Sequence, residues 1–335
     1  MDLRQLNALV AIAEHGSFSA AADALATVQS NVSTHVKKLE AELKVELVDR
    51  AAGGLTEAGA LVVDRARRVT VELDALAADV TALTHEVVGI VRLGIIGTAA
   101  RWLVSGLIEL TPERYPHLHL VFVEATTIGL DAQLANGQVD LGVLGLPASG
   151  SELLTEPLFE EDLVMAVPKG HPYAGQPMIH LAQLADFPLI LPLRGTSYRD
   201  ELDAIAAAHR ITLHPRAEVD SLRLITALSF EGVGFGILPS GAVSRSRISE
   251  WELIPIEGLP PRLVGVAHRR RGVPGAPVRA LLEVLRTIVS DESRTPIGVR
   301  QVLSSRNRDG EAKTLSPPDR STTALPLTPL STVDT

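Results

Sequence analysis

Residues 58–88 carry apolar side chains at spacings that alternate strictly between four and three residues. The segment has no proline, and no glycine after Gly59, so it holds no residue that would end a helix. A mean spacing of about 3.5 residues is typical of a coiled-coil seam. The pattern predicts a linker helix at 59–88 that associates with a second copy through Val62, Ala66, Val69, Leu73, Leu76, Val80, Leu83 and Val87. The alternative is an amphipathic helix packed on its own domain.

Residues 1–58, ahead of this helix, have the pattern of a small all-α domain with a wing. Apolar periodicity predicts helices at 3–13, 19–25 and 29–43, with tight turns between them. "VELVDRAAGGLTEAG" (45–59) predicts two short extended pieces around Gly53-Gly54. The order helix, turn, helix and wing predicts a winged helix-turn-helix domain.

Residues 89–291 instead alternate between apolar strands and amphipathic helices. This β-α-β-α-β order predicts parallel sheets with helices on both faces. We expect two lobes, lobe I from 89–161 and 267–291 and lobe II from 162–266. Residues 292–335 are rich in proline and threonine without periodicity, so a disordered tail is expected.

The amino-acid composition excludes several classes of functional site. The chain of 335 residues has no cysteine, which excludes disulfides, thiolate zinc sites and cysteine nucleophiles. Aromatic residues make up 3%, which argues against stacking on single-stranded nucleic acid. The net charge is −9, and residues 1–60 hold five basic and eight acidic side chains. Any DNA binding must therefore rely on a few placed cations and on helix N-termini.

The sequence also bears on location. The N-terminus has no basic segment leading into a long apolar run, and "VVGIVRLGIIG" carries Arg92 and is shorter than the roughly 18 residues that a membrane span needs. A cytoplasmic protein without membrane contact is expected.

Residues 1–59 resemble the winged helix-turn-helix of LysR-type transcriptional regulators. The resemblance rests on "LRQLNALVAIAEHGSFSAAADAL", "VQSNVSTHVKKLEAELKVELVDR" and "LTEAG", and the linker helix and two lobes extend it to about residue 291. It implies a periplasmic-binding-protein-like (Rossmann-like) regulatory domain that binds a small-molecule inducer between its lobes. It also implies double-stranded DNA, a second copy in a homodimer or homotetramer, and RNA polymerase as partners. The sequence departs from the family at Ser30, usually proline, at Thr34, often a long basic residue, and in the short wing "AAGG".

The helix at 29–43 is the predicted recognition helix. Glutamine and hydroxyl side chains in its first turns can bond base edges in the major groove, which points to Gln29, Ser30, Ser33 and Thr34. Lys37 and Lys38 follow one turn later and suit phosphates. For an isolated segment, an exposed polar helix face is the alternative.

The resemblance also implies an effector site between the lobes. Thr98 follows a buried strand and starts a helix, where free N–H groups favour an anion. Carried over position by position, the site consists of Thr98, Thr127, Gly145, Arg194, Thr196, Ser197 and Ser221. A carboxylate effector would be held by Arg194 or Arg199. The alternative is that the threonines and Ser221 are only helix caps or turn residues.

A sequence-specific transcriptional regulator controlled by a small effector is therefore predicted. A solute-binding or transport receptor of similar two-lobed texture is the alternative, although no signal peptide supports it. An α/β enzyme has only unspecific serines and histidines in its favour, so no catalytic activity is expected. No cofactor is expected. No metal is expected either, because His117 and His119 could be ligands but have no third ligand nearby in sequence.

Overall fold

The computed structural model describes residues 1–302 except 51–52, 84–85, 245–246, 248 and 271. Its N-terminal domain has three helices and a small hairpin, which are α1 (Leu3–His15), α2 (Phe18–Ala24), α3 (Gln29–Leu43), β1 (Val48–Asp49) and β2 (Gly54–Leu55). The hairpin places the extended pieces where the sequence predicted them, with Val48 opposite Leu55. Ala51 and Ala52 of the predicted wing segment lie outside the described residues.

Local capping sets the first two helices. Asp2 accepts a hydrogen bond from the Gln5 backbone N–H at 2.9 Å, and the Gln5 side chain accepts one from the Asp2 backbone N–H at 2.9 Å. This reciprocal pair satisfies two otherwise unpaired donors at the start of α1. Gly16 ends the helix with φ +73°, a left-handed conformation that glycine adopts without strain, and Ser17 caps α2.

The linker helix α4 (Glu57–Ala82) is shorter at its C-terminal end than the sequence predicted. Val87 follows the helix and packs against the core of the next domain, so its assignment to the seam is wrong. The chain has to leave the helix there because the first strand of that domain starts at Gly89. Ala66 and, partly, Val62 pack in the core of the N-terminal domain, so the start of the seam is occupied within the same chain.

The rest of the described chain forms an α/β domain. Its elements are β3 (Gly89–Ile95), α5 (Gly97–Arg114), β4 (Leu118–Glu124), α6 (Thr127–Asn136), β5 (Leu141–Gly145), β6 (Leu153–Glu161), β7 (Leu163–Pro168), β8 (Ile179–His180), β9 (Leu189–Pro192), α7 (Ser197–Ala208), β10 (Pro215–Val219), α8 (Leu222–Phe230), β11 (Phe235–Pro239), β12 (Trp251–Glu257), β13 (Arg262–Arg269), α9 (Ala276–Ser290) and β14 (Val299–Gln301). Two short 3₁₀ helices span Leu181–Asp186 and Ser240–Ala242.

Two sheets define the two predicted lobes. In the described residues, lobe I has the strand order β14-β6-β13-β5-β3-β4, and lobe II has β10-β9-β11-β7-β12-β8. Only part of each sheet is parallel, namely β4-β3-β5 in lobe I and β10-β9-β11 and β12-β8 in lobe II. The prediction of fully parallel sheets is wrong. The chain crosses between the lobes at β7 and again at β13, and these two strands pair antiparallel with their neighbours.

Two predicted boundaries are wrong for the same kind of reason. The strand β13 pairs over its length with β6 and also with β5, so residues 262–266 belong to lobe I rather than lobe II. The strand β14 pairs with β6, so 292–302 is not wholly disordered. The remainder of the predicted tail lies outside the described residues. Both strands are placed by partners more than 100 positions away, which local patterns do not reveal.

Candidate DNA-reading helix and interlobe cavity

The predicted recognition helix, α3, is positioned by one apolar face. Val32, Val36 and Leu39 on this face are at most 1% exposed and pack against the other helices of the N-terminal domain. The opposite face is therefore left to solvent. It exposes most of the predicted DNA-binding side chains, namely Gln29, Ser30, Thr34, Lys37 and Lys38, while Ser33 is half-buried.

The first backbone N–H groups of α3 can donate hydrogen bonds to a bound acceptor. Its cap residue Val28 supplies no side-chain hydrogen bond, so the first backbone N–H groups remain available to a phosphate. The Thr34 hydroxyl donates to the Ser30 carbonyl at 2.7 Å, which leaves its oxygen free only as an acceptor.

Glu40, at the other end of the exposed face, has a structural role. Its carboxylate accepts the backbone N–H of Leu47 at 2.9 Å and pairs with Arg50 at 3.2 Å, which ties α3 to the hairpin. Arg50 is thereby neutralised. The exposed positive charge on α3 itself therefore comes from Lys37 and Lys38.

A cavity of about 700 Å³ lies between the two lobes. The first turns of four helices, α5 and α6 from lobe I and α7 and α8 from lobe II, contribute to its walls. Helix N-termini carry partial positive charge and unpaired N–H groups. This geometry suits a small anion better than a cation.

Two arginines, Arg223 and Arg262, are among the described residues that line this cavity, and the sequence predicted neither of them. Arg262 lies at the start of β13. Its Nη1 donates to Thr98 Oγ1 and to Glu161 Oε1, both at 3.2 Å, and its guanidinium carbon lies 5.5 Å from the centre of the Tyr198 ring. Its Nε and Nη2 make no hydrogen bond to any described residue. These two atoms form the edge of the guanidinium that can hold a carboxylate with two parallel bonds.

Gly145 leaves room for that edge. A Cβ at this position would lie 3.2 Å from Arg262 Nη2 and 3.4 Å from Thr127 Oγ1. The Thr127 hydroxyl accepts the Gly145 backbone N–H at 3.2 Å, which fixes the loop after β5 against the start of α6. Thr127 therefore orients the wall of the cavity and does more than fill a turn.

A buried carboxylate supports Arg262 from behind. Glu161 is 1% exposed, and burial raises the pKa of its carboxyl, while the positive charge of Arg262, the backbone of Gly241 and Arg101 oppose that rise. Burial likewise raises the pKa of the Tyr198 phenol. The Tyr198 hydroxyl donates to the Ile237 carbonyl at 3.1 Å, so the ring is held as a neutral surface under the guanidinium.

The lobes are also joined across the cavity by an ion pair. Arg223, at the start of α8, reaches Glu124, at the end of β4, with an N–O distance of 2.6 Å. Gly97 lies beneath the pair, and a Cβ there would approach Glu124 Oε1 to 2.6 Å. Both arginines among the described lining residues are thus paired with carboxylates, but the side chain of Arg262 is 10% exposed and that of Arg223 is 63% exposed, so Arg262 is the one enclosed in the cavity wall.

Six of the seven residues predicted for the effector site line the cavity, and one does not. The six are Thr98, Thr127, Gly145, Thr196, Ser197 and Ser221. Arg194 points away, with 75% of its side chain exposed and Glu218 at 3.8 Å. Arg199 is 1% exposed and bound to Asp203 and Glu218, so neither arginine is placed to hold a carboxylate in the cavity.

The helix caps are also partly different from the expectation. Ser221 does cap α8, but Thr98 is not a cap, because α5 starts at Gly97 and its cap residue is Ile96. Thr98 is 3% exposed, and its hydroxyl is used by Arg262. The sequence carried one signal for Arg262, a charged residue at the start of the otherwise apolar strand "RLVGVAHR".

Two further observations concern the whole described part of the chain. It contains no group of three or more histidine, aspartate or glutamate side chains arranged to hold a metal ion. Among the same residues, no helix combines the length and the apolar character that crossing a membrane requires.

The chain resembles proteins of known class over most of its length. The Escherichia coli (strain K12) DNA-binding transcriptional dual regulator OxyR is 32% identical over 292 residues, or 85% of this chain and 93% of that protein. A probable hydrogen peroxide-inducible genes activator of Mycobacterium avium is 35% identical over 254 residues, or 72% of this chain and 80% of that protein. A solved full-length OxyR variant of Pseudomonas aeruginosa, with a cysteine replaced by aspartate, gives a TM-score of 0.68 at 28% identity, covering 86% of this chain and 94% of that chain.

Two family matches agree with the division of the structure. Residues 3–60 match the bacterial regulatory helix-turn-helix protein, lysR family, and residues 84–289 match the LysR substrate binding domain. The matched ranges correspond to the domain with α3 and to the two lobes around the cavity. The chain therefore belongs to the LysR family of DNA-binding transcriptional regulators, with an N-terminal helix-turn-helix and a two-lobed effector-binding domain.

Proposed function

We propose that this regulator responds to a small carboxylate or similar anion that binds between the lobes at Arg262. The observation that carries the proposal is the position of Arg262 in the wall of a cavity of about 700 Å³, with Nε and Nη2 atoms that make no hydrogen bond to any described residue. The first turns of four helices add partial positive charge around it. An anion bound there contacts both lobes, so it stabilises the arrangement of lobes that it fits best.

The test separates the charge of Arg262 from its geometry. Arg262→Lys keeps a cation beside Glu161 but loses the two-pronged edge. We expect a carboxylate that raises the melting temperature of the parent to bind the variant at least about tenfold more weakly, because hydrogen bonds to charged groups contribute about 1.5–3 kcal/mol. The measurement is a thermal-shift screen of small carboxylates followed by calorimetry, with the carboxamide of each hit as the uncharged comparison.

Arg286→Lys is the matched control, because Arg286 is paired with Glu156 at 2.9 Å and lies outside the cavity lining. This control should bind the carboxylate as the parent does. Equal affinity in the Arg262 variant, or hits among the carboxamides alone, would reject an anion held by Arg262.

The Mycobacterium avium relative is named as a probable activator of hydrogen peroxide-inducible genes, but this chain has no cysteine. We propose that its response does not use thiol oxidation, because thiolate is the group that peroxide converts to sulfenic acid or disulfide. Micromolar peroxide is therefore expected to leave the operator affinity of the purified protein unchanged within about twofold, whereas parallel treatment of the Escherichia coli relative reports whether the oxidant was active. A peroxide-dependent change in this chain, measured by gel shift, would contradict the proposal.

We propose that α3 reads double-stranded DNA in the major groove through Gln29, Ser30, Ser33 and Thr34, and that Lys37 and Lys38 contact phosphates. The support is the exposed face of α3 opposite its buried apolar residues, together with the open N-terminus of this helix. Gln29 projects from the first turn of the helix, where recognition helices approach base edges. The two lysines follow about two turns later.

Two substitutions on the exposed face of α3 are expected to change DNA binding in different ways. Gln29→Ala should cost about 1–3 kcal/mol on the preferred site and relax one base position. Lys37→Ala should weaken all sequences alike and reduce the salt dependence by about one phosphate contact. The operator is first selected from genomic fragments, and both variants are then titrated against it at several salt concentrations. If both bind like the parent at every salt concentration, α3 is a solvated surface helix and another element reads the DNA.

A further inference from the structure

A second cleft, of about 500 Å³, lies where the linker helix α4 meets lobe I. We call it the junction cleft. Its charged lining residues are Arg65, Arg68 and Glu72 from α4, and Glu152, Arg269 and Arg270 from lobe I. Four guanidinium groups thus face two carboxylates, in a chain whose net charge is −9. The apolar lining residues of the cleft, Val69 and Leu73, also belong to the four-three pattern of α4. The cleft is separate from the interlobe cavity, and the two share no lining residue.

The guanidinium groups of the junction cleft are poorly compensated. Among the described residues, the cleft has one ion pair, between Arg68 and Glu152 at the long distance of 3.8 Å. In the same part of the chain, Arg269 and Arg270 donate to backbone carbonyls alone, each at 3.4 Å. Within the described residues, no carboxylate oxygen lies within 4.0 Å of Arg65, Arg269 or Arg270. Most other arginine pairs in the molecule are shorter, for example 2.9 Å for Arg286 with Glu156.

Two of the four arginines, Arg68 and Arg269, are partly buried, whereas Arg65 and Arg270 are exposed. Burial lowers the pKa of Arg269, the charges of Asp140 and Glu72 oppose that effect, and the charge of Arg68 adds to it by a smaller amount. The Arg68 Nε is shielded from solvent and has no hydrogen-bond partner. A partly buried guanidinium group loses part of its hydration, so a bound anion would offset that cost at Arg68 and Arg269.

The two sides of the cleft are held together by specific contacts. Asp79 of α4 accepts the Ala276 backbone N–H at 2.8 Å and pairs with Arg279 at 3.0 Å, so α4 supplies the cap that the sequence before α9 lacks. Gly275 allows this approach, since a Cβ there would lie 3.1 Å from the Ala75 Cβ. The arginines from α4 and lobe I are therefore brought together by a built interface.

We infer that the junction cleft binds a small dianion with phosphate-like chemistry, through Arg65, Arg68, Arg269 and Arg270. Tetrahedral oxyanions offer several acceptors to guanidinium groups that approach from two sides. Because the arginines belong to both α4 and lobe I, the dianion binds the docked arrangement of these elements more tightly than any separated one. It would thereby hold the linker of the DNA-reading domain against the effector-binding domain.

Inorganic sulfate is the probe. The full chain is titrated with sodium sulfate, and with sodium chloride at matched ionic strength, while the melting temperature and the calorimetric heat are recorded. We expect a saturable increase in melting temperature with sulfate beyond the chloride effect, and saturable heat of binding. The double variant Arg68→Gln/Arg270→Gln should lose both, because two of the four cations are removed. Arg286→Gln/Arg300→Gln, which removes two arginines outside the cleft, should retain both.

Arg262→Lys separates this inference from the effector proposal. Retention of saturable sulfate binding in that variant supports the junction cleft, whether or not the variant binds carboxylates. Loss of binding in Arg262→Lys with retention in the double variant would place the anion between the lobes and overturn the inference. A linear, non-saturable response that is equal in all variants would show general salt stabilisation and an adventitious ion only, which also overturns it.

Discussion

Replacing Leu73 and Leu76 together by lysine is expected to convert the assembled protein into a folded monomer at micromolar concentration. After Val62 and Ala66 have packed in the N-terminal domain, α4 still presents a four-three pattern of apolar side chains to solvent. The exposed fractions of this free seam are 44% for Val69, 41% for Leu73, 63% for Leu76, 59% for Val80 and 81% for Leu83. We propose that a second copy covers this seam.

The size of the expected effect follows from the burial of leucine. Burying one fully exposed leucine side chain stabilises by about 1.5–3 kcal/mol. Because Leu73 and Leu76 are already partly covered, with 41% and 63% exposed, the four leucines of a symmetric pair contribute about 3–6 kcal/mol. Association in the micromolar range corresponds to about 8 kcal/mol. Four unpaired lysines in the seam add a desolvation cost. The loss is therefore comparable to the whole free energy of association.

The measurement is molar mass by light scattering after size exclusion, with circular dichroism to confirm that the variant is folded. Leu61→Lys is the matched control, because Leu61 is 61% exposed on the same helix but lies outside the four-three pattern. Operator affinity should fall with the mass, since paired half-sites require paired recognition helices. An unchanged mass in the double variant would show that another surface holds the copies together.

The elements that sequence analysis placed best are those whose ends are set by local chemistry. The predicted range 29–43 coincides with α3. Near Gly16 and Ser17, a left-handed glycine and a hydroxyl cap mark the turn before α2 directly in the sequence. Here the periodicity and the caps agree, so the signal does not depend on the rest of the fold.

Long-range pairing accounts for most of the errors. The strand β13 carries Arg262 into the cavity wall because it pairs with β5 and β6, and no local pattern shows which lobe a strand joins. The positions of the cavity threonines and serines followed from the family resemblance. The position of Arg262 did not follow from it. Arg194 and Arg199 are close in sequence to the predicted site residues Thr196 and Ser197, whereas Arg262 is distant in sequence and reaches the site only in the folded protein.

Arg199→Met is expected to lower the free energy of unfolding by about 3 kcal/mol. Its guanidinium is 1% exposed and joins three parts of lobe II, through Asp203 at 2.9 Å, Glu218 at 2.5 Å and the Pro192 carbonyl at 2.8 Å. Removing one partner of a buried ion pair costs about 3–5 kcal/mol. The lower end applies here because Asp203 and Glu218 are 39% and 34% exposed and can be partly hydrated.

Arg194→Met is the matched control, because it removes an exposed arginine that lies near the same carboxylate, Glu218. Arg194 is 75% exposed and lies 3.8 Å from Glu218, so its removal should cost less than about 1 kcal/mol, as for other exposed pairs. Urea unfolding of the parent and the two variants gives the comparison. A midpoint for Arg199→Met equal to that of Arg194→Met would mean that water replaces the buried guanidinium without penalty. A lower midpoint for Arg199→Met alone would show that this arginine stabilises the β9, α7 and β10 region, where Thr196 and Ser197 line the interlobe cavity.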